Sequence, residues 1–301
     1  MSKFKFNLDR RGAKNCPCGK SNADGKFSPF VGYRDKGYCF SCDKVFLPIS
    51  SLNNENLRES KETFIVTPSF IQPNVLHQSL GNYDQNTLFQ FIRKLTDDNT
   101  AEAIKQQYKI GTSMFWKGAT VFWQIDIEGK IRNGKIMQYV MRTDEKCSIG
   151  TNCGRVKTNI PPVMWVSRLK GVKDFNLKQC FFGEHLLPLF PDYKVCVLES
   201  EKSALIAAAY YPDCIWLACG GATGLTDDKT GPLEGRYVIL WPDLGKFDLW
   251  AARAVKMKEK LKKSVIILSD MLEDIATDEE RAQGLDLADF LIRQEWSKYV
   301  K

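Results

Sequence analysis

Lys194-Val-Cys-Val-Leu-Glu-Ser-Glu-Lys-Ser-Ala-Leu205, Trp216-Leu-Ala-Cys-Gly-Gly-Ala-Thr-Gly-Leu225 and Tyr237-Val-Ile-Leu-Trp-Pro-Asp-Leu-Gly-Lys-Phe-Asp248 repeat one pattern. In each, a short apolar run halts at an acid or at glycines and passes toward a helical pattern, as a buried parallel strand does before its crossover helix. The runs predict strands over Lys194–Leu198, Ile215–Cys219 and Arg236–Trp241, with a further strand over Ser264–Leu268. Between them lie helices over Ser203–Tyr211 and Phe247–Lys263, the second with Phe247, Trp250, Ala251, Ala254, Val255 and Leu261 on its buried face. Strands alternating with helices predict a parallel sheet covered by helices on both faces. Chemistry in such sheets collects beyond the carboxyl ends of the strands, where Glu199 and Asp243 fall.

Asp286-Leu-Ala-Asp-Phe-Leu opens the closing helix and brings Asp286 and Asp289 as further acids. Carboxylates from two neighbouring strand ends and a helix start make a set of hard oxygen ligands suited to Mg2+ or Mn2+ beside phosphate. Glu199 can alternatively accept a proton. A competing reading of each acid is a helix N-terminal residue favoured by the dipole. Gly220, Gly221 and Gly224 lie beyond a strand end, where bare backbone can approach a phosphate.

Upstream, Asn86–Tyr108 carries one helical period. Thr120-Val-Phe-Trp-Gln-Ile-Asp-Ile-Glu-Gly-Lys130 and its continuation to Tyr139 alternate as a β-hairpin turning about Glu128-Gly129-Lys130. Trp116, Phe122 and Trp123 are expected in its core. Lys135, Arg142, Lys146, Arg155, Lys157, Arg168 and Lys170 then form a cationic run, either a solvated sheet face or a groove for phosphates. His77 and His185 are isolated and read as structural or surface residues.

At the other end, Cys16-Pro-Cys18 and Cys39-Phe-Ser-Cys42 are two close thiolate pairs separated by a loop. Four such ligands close a tetrahedral site and leave no open position, so a bound Zn2+ would be structural. The interleaved Lys26, Phe27, Phe30 and Tyr38 suit stacking on bases, or equally packing over a small zinc core. Ser50–Glu62 is polar without an apolar period and reads as a tether. The expected domains are therefore a zinc ribbon (1–49), a linker (50–75), a mixed α+β middle region (76–190) and the parallel-sheet domain (191–301).

Bulk properties are compatible with this. The 301 residues carry a formal charge of +7, permissive of nucleic-acid binding without requiring it. Ten cysteines in so long a chain, four at metal-ligand spacing, favour reduced thiols over a secreted disulfide scaffold. No apolar run approaches a membrane span and no signal core follows Met1-Ser2-Lys3-Phe4-Lys5, so a cytoplasmic protein is expected.

The order of Glu199 after a strand, the Gly220-Gly221 strand end, Asp243 after Val-Ile-Leu-Trp-Pro, and the final Leu-Asp286-Leu-Ala-Asp289-Phe-Leu resembles the TOPRIM domain of bacterial-type DNA primases, topoisomerases and some nucleases. Leu198-Glu-Ser-Glu-Lys-Ser-Ala-Leu205 is similar to the acidic motif of phage and plasmid primase-helicases, with Ser200 where those carry Gly. The cysteine-bearing segment resembles the zinc ribbon of the same primases, and Ala119–Lys135 the part that joins their basic subdomain to TOPRIM. The resemblance implies a primase-type nucleotidyltransferase, acting on single-stranded DNA with nucleoside triphosphates in replication of a plasmid, phage or mobile element. Glu199 would be metal ligand or base, Asp243 and Asp248 metal ligands, Asp286 and Asp289 outer ligands. Lys135, Arg142, Lys157, Arg168 and Lys202 would hold nucleotide or template phosphates. The family's Asp-x-Asp motif reads Asp243-Leu-Gly245 here. Either Asp248 supplies the second acid, or metal binding weakens and the domain binds DNA as a non-catalytic adaptor. A nuclease remains the other enzymatic alternative. No helicase P-loop occurs, which would leave unwinding to a partner.

Overall fold

The computed structural model describes residues 6–7, 9, 13–19, 21–23, 25–40 and 44–48, then 67–139, 163–169, 171 and 174–299. The chain divides into two compact units, Met1–Phe64 and Ile65–Lys301. The tether expected over Ser50–Glu62 lies outside the described residues.

In the first unit, β1 (Phe27–Pro29), β2 (Gly37–Cys39) and β3 (Lys44–Phe46) form an antiparallel sheet in that order. Phe27 and Phe30 are each 1% exposed, so these two rings pack inward. Phe27 sits with Ala13, Cys16 and Cys39 in a small core. Gly37 is required at its place in β2, because a Cβ there would lie 2.1 Å from the Ser28 carbonyl oxygen.

The second unit begins with docked chain rather than linker: the amides of Ser69 and Ile71 donate to the carbonyls of Asn176 and Ile131. Helix α1 (Pro73–Ser79) is followed by α2 (Thr87–Leu95) and α3 (Asp98–Tyr108). The single helical run read from the sequence is thus two helices. Thr96 turns its hydroxyl back onto the Ile92 carbonyl, and Asp97 caps α3 by accepting the Thr100 amide at 2.7 Å, and a side chain that caps competes with helix continuation.

Strands β4 (Gly111–Thr112), β5 (Thr120–Ile125), β6 (Ile131–Met137) and β7 (Met164–Trp165) form an antiparallel sheet, with the short helix α4 (Val166–Leu169) after β7. The β5–β6 hairpin turns at Gly129 (φ +77°), while the Asp126 carboxylate accepts the Glu128 and Lys130 amides. Trp116, Phe122 and Trp123 are buried as expected. His185 is held by the Gln107 carbonyl at 3.0 Å and His77 is exposed.

The remaining elements are β8 (Lys194–Leu198), α5 (Glu201–Tyr210), β9 (Cys214–Ala218), α6 (Asp227–Thr230), β10 (Tyr237–Leu240), α7 (Phe247–Lys260), β11 (Val265–Leu268), α8 (Met271–Ile275), α9 (Asp278–Gln283) and α10 (Leu287–Leu291). The four strands form a parallel sheet in the order β11-β10-β8-β9. Helix α5 is buried on all sides, against β8, β9, α3 and α10. One continuous core runs from Leu88 in α2 to Leu291 in α10, so the middle sheet and the parallel sheet fold as one body.

Two expectations fail on the outer part of the parallel sheet. Val255 on α7 is 57% exposed while Met257 is buried, because the contact stripe runs Trp250, Ala254, Met257, Leu261 at three- and four-residue steps. Cover is also incomplete: Val265 and Ile267 on edge strand β11 are 49% and 41% exposed, beside their register partners Tyr237 and Ile239 on β10. Among the described residues, no helix is long and apolar enough to cross a membrane.

Candidate active site

Glu199 leaves β8 and Asp243 leaves β10, its parallel neighbour, at the same end of the sheet. The Glu199 carboxylate lies beside the backbone amide of Asp243. Its Oε1 is buried without a hydrogen-bond partner. Burial pushes the Glu199 carboxyl above its ordinary value and Asp286 adds to the rise, while Lys246 and the Asp243 amide oppose it. Burial likewise drives Asp243 up to about 9, reinforced by Asp286 and Glu199 and opposed by Lys202. Negative charge is therefore crowded here beyond what the chain's own cations neutralise.

Asp286 reaches the rim from the far end of the chain. The Leu244 amide donates to the Leu285 carbonyl at 3.0 Å, fixing the segment before α10 against the loop that carries Asp243. Asp286 and Asp289 form a reciprocal capping box, each accepting the other's amide. Asp286 Oδ2 also accepts the Ser203 hydroxyl at 2.6 Å and lies 3.4 Å from Lys202 Nζ, which is 3.9 Å from Asp289 Oδ1. Burial works against the Lys202 ammonium, but Asp286 and Asp289 outweigh it and its pKa is raised.

Asp248 sits apart from this group in exposure: it is solvent-facing on the first turn of α7, whereas Asp286 and Asp289 are buried. The acids that act most strongly on Asp243 are Asp286, Glu199 and Asp289. Lys135 on β6 is buried, and its Nζ lies 3.0 and 2.8 Å from the two carboxylate oxygens of Glu201. Arg168 is exposed on α4. Arg142 and Lys157 lie outside the described residues.

Sequence reading passed over Glu201 and Ser203, which hold Lys135 and Asp286 from the first turn of α5. It also passed over Lys229, buried at the end of α6 with its Nζ 2.9 Å from the Cys219 carbonyl oxygen. The available signal was spacing: Glu201, Lys202 and Ser203 follow Glu199 after one intervening residue, where a strand end meets a helix start.

In the N-terminal unit, the sulfurs of Cys16, Cys18 and Cys39 lie within 4.8 Å of one another and could hold a metal ion. The Cys18 amide points at Cys16 Sγ (3.4 Å) and the Gly19 amide returns to the Cys16 carbonyl, with Gly19 at φ +88°. Burial pushes the Cys16 thiol up to about 12, with Cys18 and Cys39 adding to the rise. Thiols so placed carry negative charge only beside a cation. Cys42, the fourth expected ligand, lies outside the described residues. Among the described residues this is the one group of three whose ligand atoms all approach so closely.

The chain belongs to a family described as "Domain of unknown function (DUF6371)", which matches residues 86–244, more than half of its length. No curated protein matches it. Among solved structures it is similar to the DnaG catalytic core, at 12% identity over 73% of this chain and 81% of that one, with a TM-score of 0.44. It is also similar to the primase fragment of the bacteriophage T7 primase-helicase protein, at 15% identity over 89% of this chain and 95% of that one, with a TM-score of 0.37.

Proposed function

We propose that this chain is a zinc-ribbon, TOPRIM-type primase-like protein that joins nucleotides on a single-stranded DNA template. The observation that carries the reading is the buried acid rim: Glu199 faces the Asp243 backbone with one carboxylate oxygen unpartnered, and Asp286 adds charge from a third segment. Glu199, Asp243 and Asp286 would draw together around a divalent cation, because uncompensated carboxylates of this kind are stabilised by one. Mg2+ or Mn2+ held there would supply positive charge to phosphoryl oxygens. Ser203 and Lys202 orient Asp286, and the capping box with Asp289 fixes its backbone. Lys135 braces α5 through Glu201, while Arg168, with Arg142 and Lys157, would meet template or nucleotide phosphates. Cys16, Cys18 and Cys39, with Cys42, would hold a structural Zn2+.

A second reading, a DNA-binding adaptor without catalysis, is favoured by two observations: Lys202 already places a cation among the acids, and Asp248 is turned to solvent. Incubation with single-stranded template, labelled nucleoside triphosphates and Mg2+ or Mn2+ separates the two. Extended products are expected from the wild type and none from Glu199→Gln combined with Asp243→Asn. Synthesis that survives in the double variant removes the assignment; a shifted band without products favours the adaptor.

A further inference from the structure

Beside the acid rim, on the far side of β8, the loop after β9 opens a cleft of about 500 Å³ that the assigned chemistry does not use. Gly220 (φ +91°) and Gly221 (φ +142°) adopt backbone that other residues rarely enter, and a Cβ on Gly224 would strike the Cys219 carbonyl at 2.2 Å. The loop is therefore folded tightly on itself. The amides of Gly221, Ala222 and Thr223 donate to no acceptor among the described residues. Successive free amides at a left-handed turn make a concavity for anions. Lys229, 6% exposed, lines the cleft and bonds a single carbonyl with its ammonium, leaving donor capacity unused in a buried position. Lys178 lines the same cleft from the exposed side and Asp228 is the one acid on its wall, so the excess charge is positive.

A second cleft, of about 470 Å³, adjoins it through the shared Trp165 and Leu177 and continues to Phe175, Asn133 and Ser167. Aromatic and amide groups beside an anion seat match the two halves of a nucleotide. We propose that the Gly220–Gly224 loop, Lys229 and Lys178 bind a phosphate group, and that the neighbouring cleft receives the base of the nucleotide that carries it, against Trp165. This inference rests on the primer-synthesis reading and extends it by giving its substrate a seat beside the acids. The phosphate could belong to a free nucleoside triphosphate or to a DNA strand, and the experiment distinguishes them.

Full-length protein without added divalent cation is titrated with ATP, with pyrophosphate, and with a 5′-dephosphorylated oligothymidylate, following heat and tryptophan fluorescence. Loss of a charge-assisted contact is expected to weaken binding about tenfold or more in Lys178→Glu and in Lys229→Met, and Trp165→Phe is expected to abolish the fluorescence change. Lys178 is exposed, so its variant carries the test if Lys229→Met fails to fold. ATP and pyrophosphate weakened together identify a triphosphate seat; the oligonucleotide weakened alone identifies a strand seat. No binding by the wild type, or equal affinities in the folded variants, overturns the site. Primer synthesis is assayed in parallel. A wild type that binds ATP through these lysines yet makes no primer keeps the site and loses the polymerase reading; primer synthesis unaltered in both variants, in rate and KM, does the reverse.

Discussion

Asp243→Asn should make the metal-free protein more stable, and increasingly so as pH rises. Burial with Asp286 and Glu199 lifts this carboxyl from 3.8 to about 9 in the folded chain. A folded pKa above the unfolded one means that stability is fully present below pH 3.8 and is lost as pH climbs through about 9. At pH 7 roughly three pH units have been crossed, and at about 1.4 kcal/mol for each the ionisation penalty approaches ~4 kcal/mol. Asparagine keeps the shape and carries no such penalty. The chain's tryptophans, from Trp116 to Trp296, all fall in the larger unit, so urea unfolding followed by their fluorescence reports on the fold around the site. The stability gap between variant and wild type should widen by ~1.4 kcal/mol per pH unit between pH 5 and 7 and level off near pH 9. Millimolar Mg2+ should narrow it by stabilising the wild type alone. A gap that is the same at pH 5, 7 and 9 would refute the crowded-acid argument.

Three further outcomes are expected. Lys135→Met should cost about 3–5 kcal/mol in the same urea assay by stranding buried Glu201, whereas Lys135→Met with Glu201→Leu should recover much of the loss; a single variant within about 1 kcal/mol of wild type would contradict the pairing. Cys39→Ser should lower the zinc content of purified protein well below one per chain, while Cys180→Ser, buried in the larger unit, leaves it unchanged. Asp97→Ala should destabilise by about 1 kcal/mol through loss of the α3 cap, and no change in the unfolding midpoint would show that the break between α2 and α3 is set elsewhere.

What the sequence disclosed follows the range of the interactions involved. The strands of the parallel sheet were legible to within a residue or two, since Val195 to Leu198 and Val238 to Leu240 are apolar runs cut off by Glu199 and by Pro242-Asp243. Burial of Trp123 and Phe122 was readable from their aromatic bulk, although they point to opposite faces of β5 and alternation alone would have buried only one. The interruption at Asp97 was not, because a capping aspartate and a solvent-facing one look alike inside an amphipathic run. Lys135 resembled its neighbours in a cationic stretch, yet its partner Glu201 stands 66 residues away. Lys202 and Lys229 were misleading for a similar reason: lysine is usually at the surface, and only the packed fold reveals which ones are enclosed by acids or carbonyls. On α7, Val255 fell outside the buried stripe and Met257, not assigned from the sequence, fell inside it, because a period fixes which residues share a stripe, not where that stripe meets its neighbour.

Helix α5 carries Glu201, Lys202 and Ser203 in succession, gripping Lys135 of the antiparallel sheet with the first and Asp286 with the other two. These grips share one rigid spacer, so a slip of a single residue along its axis would release them all. The antiparallel sheet and the segment bearing Asp286 are thus anchored to the same helical turn, so the position of that turn sets the placement of both.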